Sequence, residues 1–276
     1  MTDSSLPAWS EPFADPRGAL RRPLRVRGIT REWAWGGATG AGIRVGIIDS
    51  GLENDHPDLH GRVVENVAVE IGDEGPMVVP DEPRDLVGHA TACGAIIIGM
   101  APDVELVSIR VLGGDLRGKG TAFAAGLEWA IENGIRVCNL SLSSKSEALF
   151  GTFHEIADEA YFRGVALVSA ANNVPGRSYP SLFSSVFSVA AHAEPDPWRF
   201  YYNPAPPVEF GARGVDVPVA WKDGSSIVAT GNSFAAPHVA GLAALIRSKH
   251  PGLTPFEVKA VLAAIAGNPG PEPKPR

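Results

Sequence analysis

Residues 43–51 read Ile-Arg-Val-Gly-Ile-Ile-Asp-Ser-Gly, an apolar, β-branched run broken at once by Ser50 and Gly51. Its apolar residues run on instead of alternating with polar ones. A strand buried on both faces of a parallel sheet reads this way, whereas a half-exposed strand alternates. Four similar runs follow at Glu105–Val111, Arg136–Leu142, Ala166–Ala170 and Val186–Ala190. Helical patterns lie around them at His89–Ile98, Thr121–Asn133, Glu147–Arg163, Ser233–His250 and Thr254–Ala264. Strands alternating with helices predict an α/β fold, a three-layer sandwich with a mainly parallel central sheet. Ligands of such sheets bind at the carboxyl ends of the strands, so the chemistry is expected there.

The composition excludes several function classes. A net charge of −7 argues against a nucleic-acid partner, because phosphate contacts need clustered Lys and Arg. No apolar run approaches the roughly 18 residues of a membrane span, so no membrane partner is expected. The 31 Gly and 24 Pro punctuate apolar segments and so predict tight turns, not disorder. Two cysteines, Cys93 and Cys138, sit in apolar runs and read as buried free thiols. The N-terminus lacks a basic start followed by an apolar core, so no secretory signal is read and a cytoplasmic location is expected. Residues 1–24 read as an extended arm, 25–266 as the one domain, and 267–276 as a flexible Pro-rich tail.

Ser233 stands in GNSFAAPHVAGLAALI, directly before an Ala- and Leu-rich helix. By itself a serine there is an N-cap. Its neighbours suggest more: Gly231 permits close approach, Ala235 and Ala236 leave room, and Pro237 is read as lying within the helix's first turns. A nucleophile so placed meets the positive end of the helix dipole, and its N–H can face a developing oxyanion. It also needs a base. His238, five residues on, points about 140° away round the same helix. His89, after Gly88 at a helix start, is the better candidate, since His56, His60, His154, His192 and His250 lie in polar or loop settings. Asp49, at the end of the opening strand, is placed to orient the imidazole; its bland alternative is a turn former.

IIDSGLENDHPDL, GHATACG, SAANN and GNSFAAPHVAG, in this order, resemble the Asp, His, oxyanion-Asn and Ser signatures of the subtilases, over roughly residues 33–264. The Asp…His…Ser order is the one known for subtilisin. The resemblance implies a subtilisin-like fold and a serine endopeptidase acting through an acyl-enzyme. Asp49 would orient His89, His89 would serve as general base and then acid, and Ser233 would attack. Asn173, with the Ser233 N–H, would line the oxyanion hole. A peptide or protein substrate would bind as an added strand between segments near Leu116–Gly118 and Ser141–Ser144. Leu116, Gly118, Ser141, Leu142, Ser143, Ala170, Asn172 and Ser178 would therefore contact it.

The chain departs from the family's pattern around these residues. Ala90 stands for the glycine of HGT, Asn172 for the glycine before the oxyanion Asn, Asn232 for the threonine before the nucleophile, and SLSS for SLGG. Ser143, Ser144, Asn172 and Ser178 imply a P1 pocket smaller or more polar than that of degradative members. Asp58 matches a carboxylate that binds calcium in many members, and His56 and His60 flank it. The loop completing that site normally interrupts the helix after the catalytic His; here AIIIGMAP runs on, so no metal or other cofactor is expected. Cys93 falls where some proteinase-K-like and kexin-like members carry a cysteine, and Tyr179-Pro180 resembles the family's often cis YP turn. About 40 residues precede the Asp49 strand, part of them matching the family's N-terminal helix near Ile29–Trp35, which leaves no room for a folding prodomain. With the polar pocket, this suggests an intracellular, precursor-processing protease. The alternative is a catalytically weak subtilase fold serving as a peptide-binding scaffold, motivated by Ala90, Asn172 and Asn232. An α/β-hydrolase esterase is excluded, because Ser233 comes last in the order and lacks G-x-S-x-G.

Overall fold

Alternate side chains of the central strands point to opposite faces, and each face carries its own helices. The computed structural model of the chain describes residues 6–20, 26–205 and 207–269. The strands are β1 (Arg44–Asp49), β2 (Val63–Gly72), β3 (Gly75–Pro80), β4 (Glu105–Arg110), β5 (Val137–Leu140), β6 (Ala166–Ala170), β7 (Phe187–His192), β8 (Tyr201–Tyr202), β9 (Phe210–Arg213), β10 (Val217–Trp221) and β11 (Ser225–Ala229). The helices are α1 (Glu11–Ala14), α2 (Pro16–Ala19), α3 (Arg31–Trp35), α4 (His89–Met100), α5 (Gly120–Glu132), α6 (Phe150–Phe162), α7 (Asn232–Lys249) and α8 (Pro255–Ile265).

Nine strands make one sheet in the order β3-β2-β4-β1-β5-β6-β7-β9-β8, parallel except for β3 and β8 at its edges. β10 and β11 form a separate hairpin. On one face Val45, Ile47, Leu106 and Val168 pack against α4, α7 and α8; on the other Ile48, Val107, Ile109 and Leu167 pack against α5 and α6. This is the expected α/β sandwich. Strand β1 pairs with β4 on one side and β5 on the other, so the chain reverses its direction across the sheet there. Asp49 ends β1 at that switch point, where α/β sheets open a crevice.

The antiparallel and edge strands were not among the expected elements. Val63–Gly72 mixes buried and exposed positions with acidic residues, and β3 is wholly exposed or half-exposed, so neither shows a continuous apolar run. The expected helix at 147–163 begins instead as a 3-10 turn at Glu147–Leu149 that leads into α6.

The arm differs more. Residues 11–19 coil into α1 and α2, with Asp15 capping the second, and Phe13 and Leu20 are buried against Ala171, Ala190, Tyr201 and Val208. The Pro and charge read there as an extended chain instead start short helical turns, with Pro16 in a first-turn position that suits it. Residues 1–5 and 21–25 lie outside the described residues. Of the tail, Gly267 donates to the Phe200 carbonyl, and Asn268 bonds both backbone groups of Tyr202; residues 270–276 lie outside the described residues. Among the described residues no helix is long and apolar enough to cross a membrane.

Candidate active site

Asp49 is fully buried at the end of β1 and faces the first residue of α4. The His89 Nδ1–H donates to both its oxygens, at 2.8 Å and 3.0 Å, and the Ser50 N–H adds a bond of 2.8 Å to Oδ1. A protonated Nδ1 leaves Nε2 as the basic nitrogen, the tautomer a general base needs. Burial opposes charge on this imidazole, but the charge and hydrogen bonds of Asp49, with the charge of Asp85 behind, prevail and raise its pKa. Gly88, just before His89, sits at φ +109, where a Cβ would stand 2.7 Å from the Lys222 nitrogen and the Trp221 ring. Only glycine fits there.

Asp85 is a functional residue that the sequence reading passed over. Its Oδ1 accepts from the N–H groups of Val87 and Gly88 and from Ser50 Oγ; its Oδ2 accepts from the N–H and hydroxyl of Thr91. One carboxylate thus ties the start of α4 to the end of β1 and fixes His89 against Asp49. The available signal was an Asp just before a helix start, an N-terminal capping pattern.

Ser233 lies in the first turn of α7, half-exposed while the residues around it are buried. Pro237 lies in the second turn of α7, and as a proline it cannot donate to the carbonyl four residues back. That carbonyl belongs to Ser233 and accepts instead from Ser141 Oγ at 2.8 Å, with the Cys93 sulfur 3.6 Å away. The Ser233 backbone is thereby tied to the end of β5 and to α4. Gly231 leaves an open space next to the hydroxyl: a Cβ there would lie 3.1 Å from Ser233 Oγ and 3.4 Å from Asn173 Nδ2. Both groups therefore border one small volume. Asn173 turns its Oδ1 to the Asn232 N–H at 2.8 Å, which leaves Nδ2 on that volume's side.

Five of the other histidines have partners of their own. His238 Nδ1 bonds the Phe234 carbonyl, and His192 Nε2 bonds the Arg199 carbonyl. Burial pushes both down to about 4. His56 bonds the Ser225 carbonyl, His250 stacks on Trp33, and His154 lies 3.7 Å from the exposed Asp158.

The structure spreads the substrate-side residues over several roles. Ser141 Oγ is taken by Ser233 and Asn139, Ser178 Oγ is buried against Ser181 Oγ, and Asn172 Oδ1 folds back to the Val174 N–H. Leu116 is not part of an extended segment: it sits at φ +57 in the turn that joins Gly113 to Arg117. Gly118 follows as exposed chain, while Leu142 and Ser143 are half-exposed after β5 and Ala170 ends β6 in the core. Ser144 exchanges backbone bonds with Tyr179, whose bond to Pro180 is cis.

Asp58 is exposed in a short turn that His56 caps, and α4 runs unbroken over 12 residues. Asp49, His89 and Cys93 bring ligand atoms within 4.8 Å of one another. Burial, with the Asp49 charge, pushes the Cys93 thiol well up, so it stays protonated, and Asp49 is already bonded to His89. Both cysteines are free and buried.

A family model described as the Subtilase family matches residues 40–273. Subtilisin BL of Lederbergia lenta is 34% identical over 236 residues, 81% of this chain and 82% of its own length. M-protease of Shouchella clausii is 33% identical over the same share of this chain, which spans 58% of it. The crystal structure of a cold adapted subtilisin-like serine proteinase superposes with a TM-score of 0.67 at 25% identity, covering 92% of this chain and 94% of the other. In class the protein is a serine endopeptidase on a subtilisin-like α/β fold. The chain belongs to the subtilase family.

Proposed function

We propose that the protein cleaves peptide bonds through an acyl-enzyme formed on Ser233, with His89 as base and then acid and Asp49 as its orienting partner. The buried Asp49–His89 pair carries this reading, since it fixes the tautomer and raises the basicity that removal of a serine proton requires. Asn173 Nδ2 and the Ser233 N–H donate to the oxyanion. A lost donor of this kind costs about 10²–10³ in kcat, a magnitude known for a subtilisin itself and carried over here. The substrate lies extended along Gly118 and the chain after β5. No calcium is needed at Asp58.

The pocket reading narrows. Ser178 spends its hydroxyl inside the protein, as does Ser141; Ser143, Ser144 and Asn172 remain as side chains where the family's pattern has glycine. They support a P1 site restricted to small or polar residues, and with it a selective processing role. Cleavage profiling of a peptide library checks this, and dominance of large aromatic P1 residues would overturn it. For the catalytic reading, a fluorophosphonate should label the wild type and not Ser233→Ala. Absence of label on folded wild type would favour the peptide-binding scaffold instead.

A further inference from the structure

Asn232, which stands where the family's pattern has threonine, is fully buried and uses its whole amide. Its Oδ1 accepts from the Ala191 N–H at 2.9 Å, and its Nδ2 donates to the carbonyls of Ala171 and Ala8, each at 3.0 Å. Its own N–H holds the Asn173 side chain by Oδ1 at 2.8 Å. The second partner is notable because Ala8 belongs to the N-terminal arm. The same residue returns a bond from the other direction: the Ala8 N–H donates to the Asn173 carbonyl at 2.9 Å. One backbone unit of the arm therefore grips Asn173 by its main chain and, through Asn232, by its side chain.

The arm is seated firmly enough to transmit position. Phe13 is 2% exposed, packed with Ala171, Ala190, Tyr201 and Val208. It lies over Gly211 of β9, where any Cβ would collide with its ring. Ala171 directly precedes the two asparagines, so the seat and the loop it supports are one continuous surface. Asn173 itself is exposed, and the chain from Asn173 to Arg177 is exposed throughout. An exposed turn gains little order from its own burial, so external bonds must fix it.

We infer that the N-terminal arm is a positioning element for catalysis. Anchored by Phe13, Ala8 and Asn232 together hold Asn173 so that its Nδ2 faces the space beside Ser233. This rests on the reading of Asn173 as the oxyanion donor. The physical demand is strict, because a donor displaced by about 1 Å loses much of its value in the transition state while ground-state binding barely changes.

The test uses the full chain. Phe13→Ala unseats the arm, Phe13→Leu keeps an apolar anchor, and Ala8→Pro removes the N–H that the Asn173 carbonyl accepts. Each is measured for kcat and KM on a chromogenic peptide, in the wild-type and Asn173→Ala backgrounds, with folding checked by circular dichroism. Phe13→Ala and Ala8→Pro should lower kcat about tenfold with KM changed less than about twofold, and Phe13→Leu should restore most of it. In the Asn173→Ala background both losses should shrink below about twofold, since the arm then has nothing to position. Ala8→Pro carries the test if Phe13→Ala fails to fold. Unchanged kcat in Ala8→Pro, or equal losses in both backgrounds, would overturn the inference. A fully active Asn173→Ala enzyme would instead remove the oxyanion reading beneath it.

Discussion

Asp49 and His89 stand 40 residues apart, tied by direct bonds and by Asp85 between them. Around Ser233 and Asn173 the bonds are long-range: Ser141 Oγ donates to the Ser233 carbonyl across 92 residues, and the neighbouring Asn232 bonds Asn173 across 59 and Ala8 across 224. The acid–base half of the site is thus the product of one strand, one loop and one helix. The nucleophile half is assembled from four distant pieces of chain, one of them the N-terminal arm. A half built locally should fail through its charges, and a half built at long range through its geometry. Substitutions in the two halves should therefore leave different signatures.

The largest effect belongs to the local half. Asp49→Asn keeps the shape but removes the charge that holds His89 Nδ1 protonated. It should lower kcat by about 10⁴ with KM little changed, the size seen for this substitution in other Asp-His-Ser enzymes. Steady-state kinetics on a peptide substrate checks it. A loss under about tenfold would mean that Asp49 is not the orienting acid.

Acid should act on the two halves with opposite sign. His238 in α7 and His192 at the end of β7 are held down to about 4 by burial, against about 6.5 in the unfolded chain. Groups depressed in this way contribute stability above the unfolded pKa and lose it as pH falls from about 6.5 to 4, about 3 kcal/mol each. His89 has the other sign. Its raised pKa gives stability that is whole below about 6.5 and fades as pH climbs through the folded value. Denaturant titrations from pH 7 to 4 should show net destabilisation, relieved in part by His192→Gln. A flat profile would break the contrast.

What the sequence disclosed follows the same division. The strand 43–49, the start of α4 and the start of α7 were legible because each joins a continuous apolar run to a polar residue at its end. The sandwich was legible for the same reason. The edge strands β2 and β3 escaped because half-exposed antiparallel strands carry charges and lack such runs. Ser141 was read as a substrate contact and Ser178 as a pocket residue because a sequence gives a hydroxyl's position but not its direction; both turn inward. Asn232 stood out only as a departure. Its partner Ala8 has no chemical side chain at all, so a backbone contact across 224 residues leaves no mark in composition or spacing.

The smallest effect separates the halves most sharply. Asp85 contributes charge to His89 and anchors the first turn of α4, whereas Ser141 is neutral and bonds the Ser233 carbonyl, the Asn139 amide and the Cys93 thiol. The acid limb of kcat/KM reports the free enzyme's base, so in the wild type it should lie above about 6.5. Asp85→Asn removes one of the charges that raise His89 and should move that limb toward lower pH, with kcat/KM falling about tenfold as the helix start loosens. Ser141→Ala should cost a similar or smaller factor, because the Ser233 carbonyl loses its bond, yet leave the limb where it was. Two pH–rate profiles on one substrate decide it. If Ser141→Ala moves the limb as far as Asp85→Asn does, the nucleophile's backbone and the base are coupled, and the division between a charge-built half and a geometry-built half does not hold.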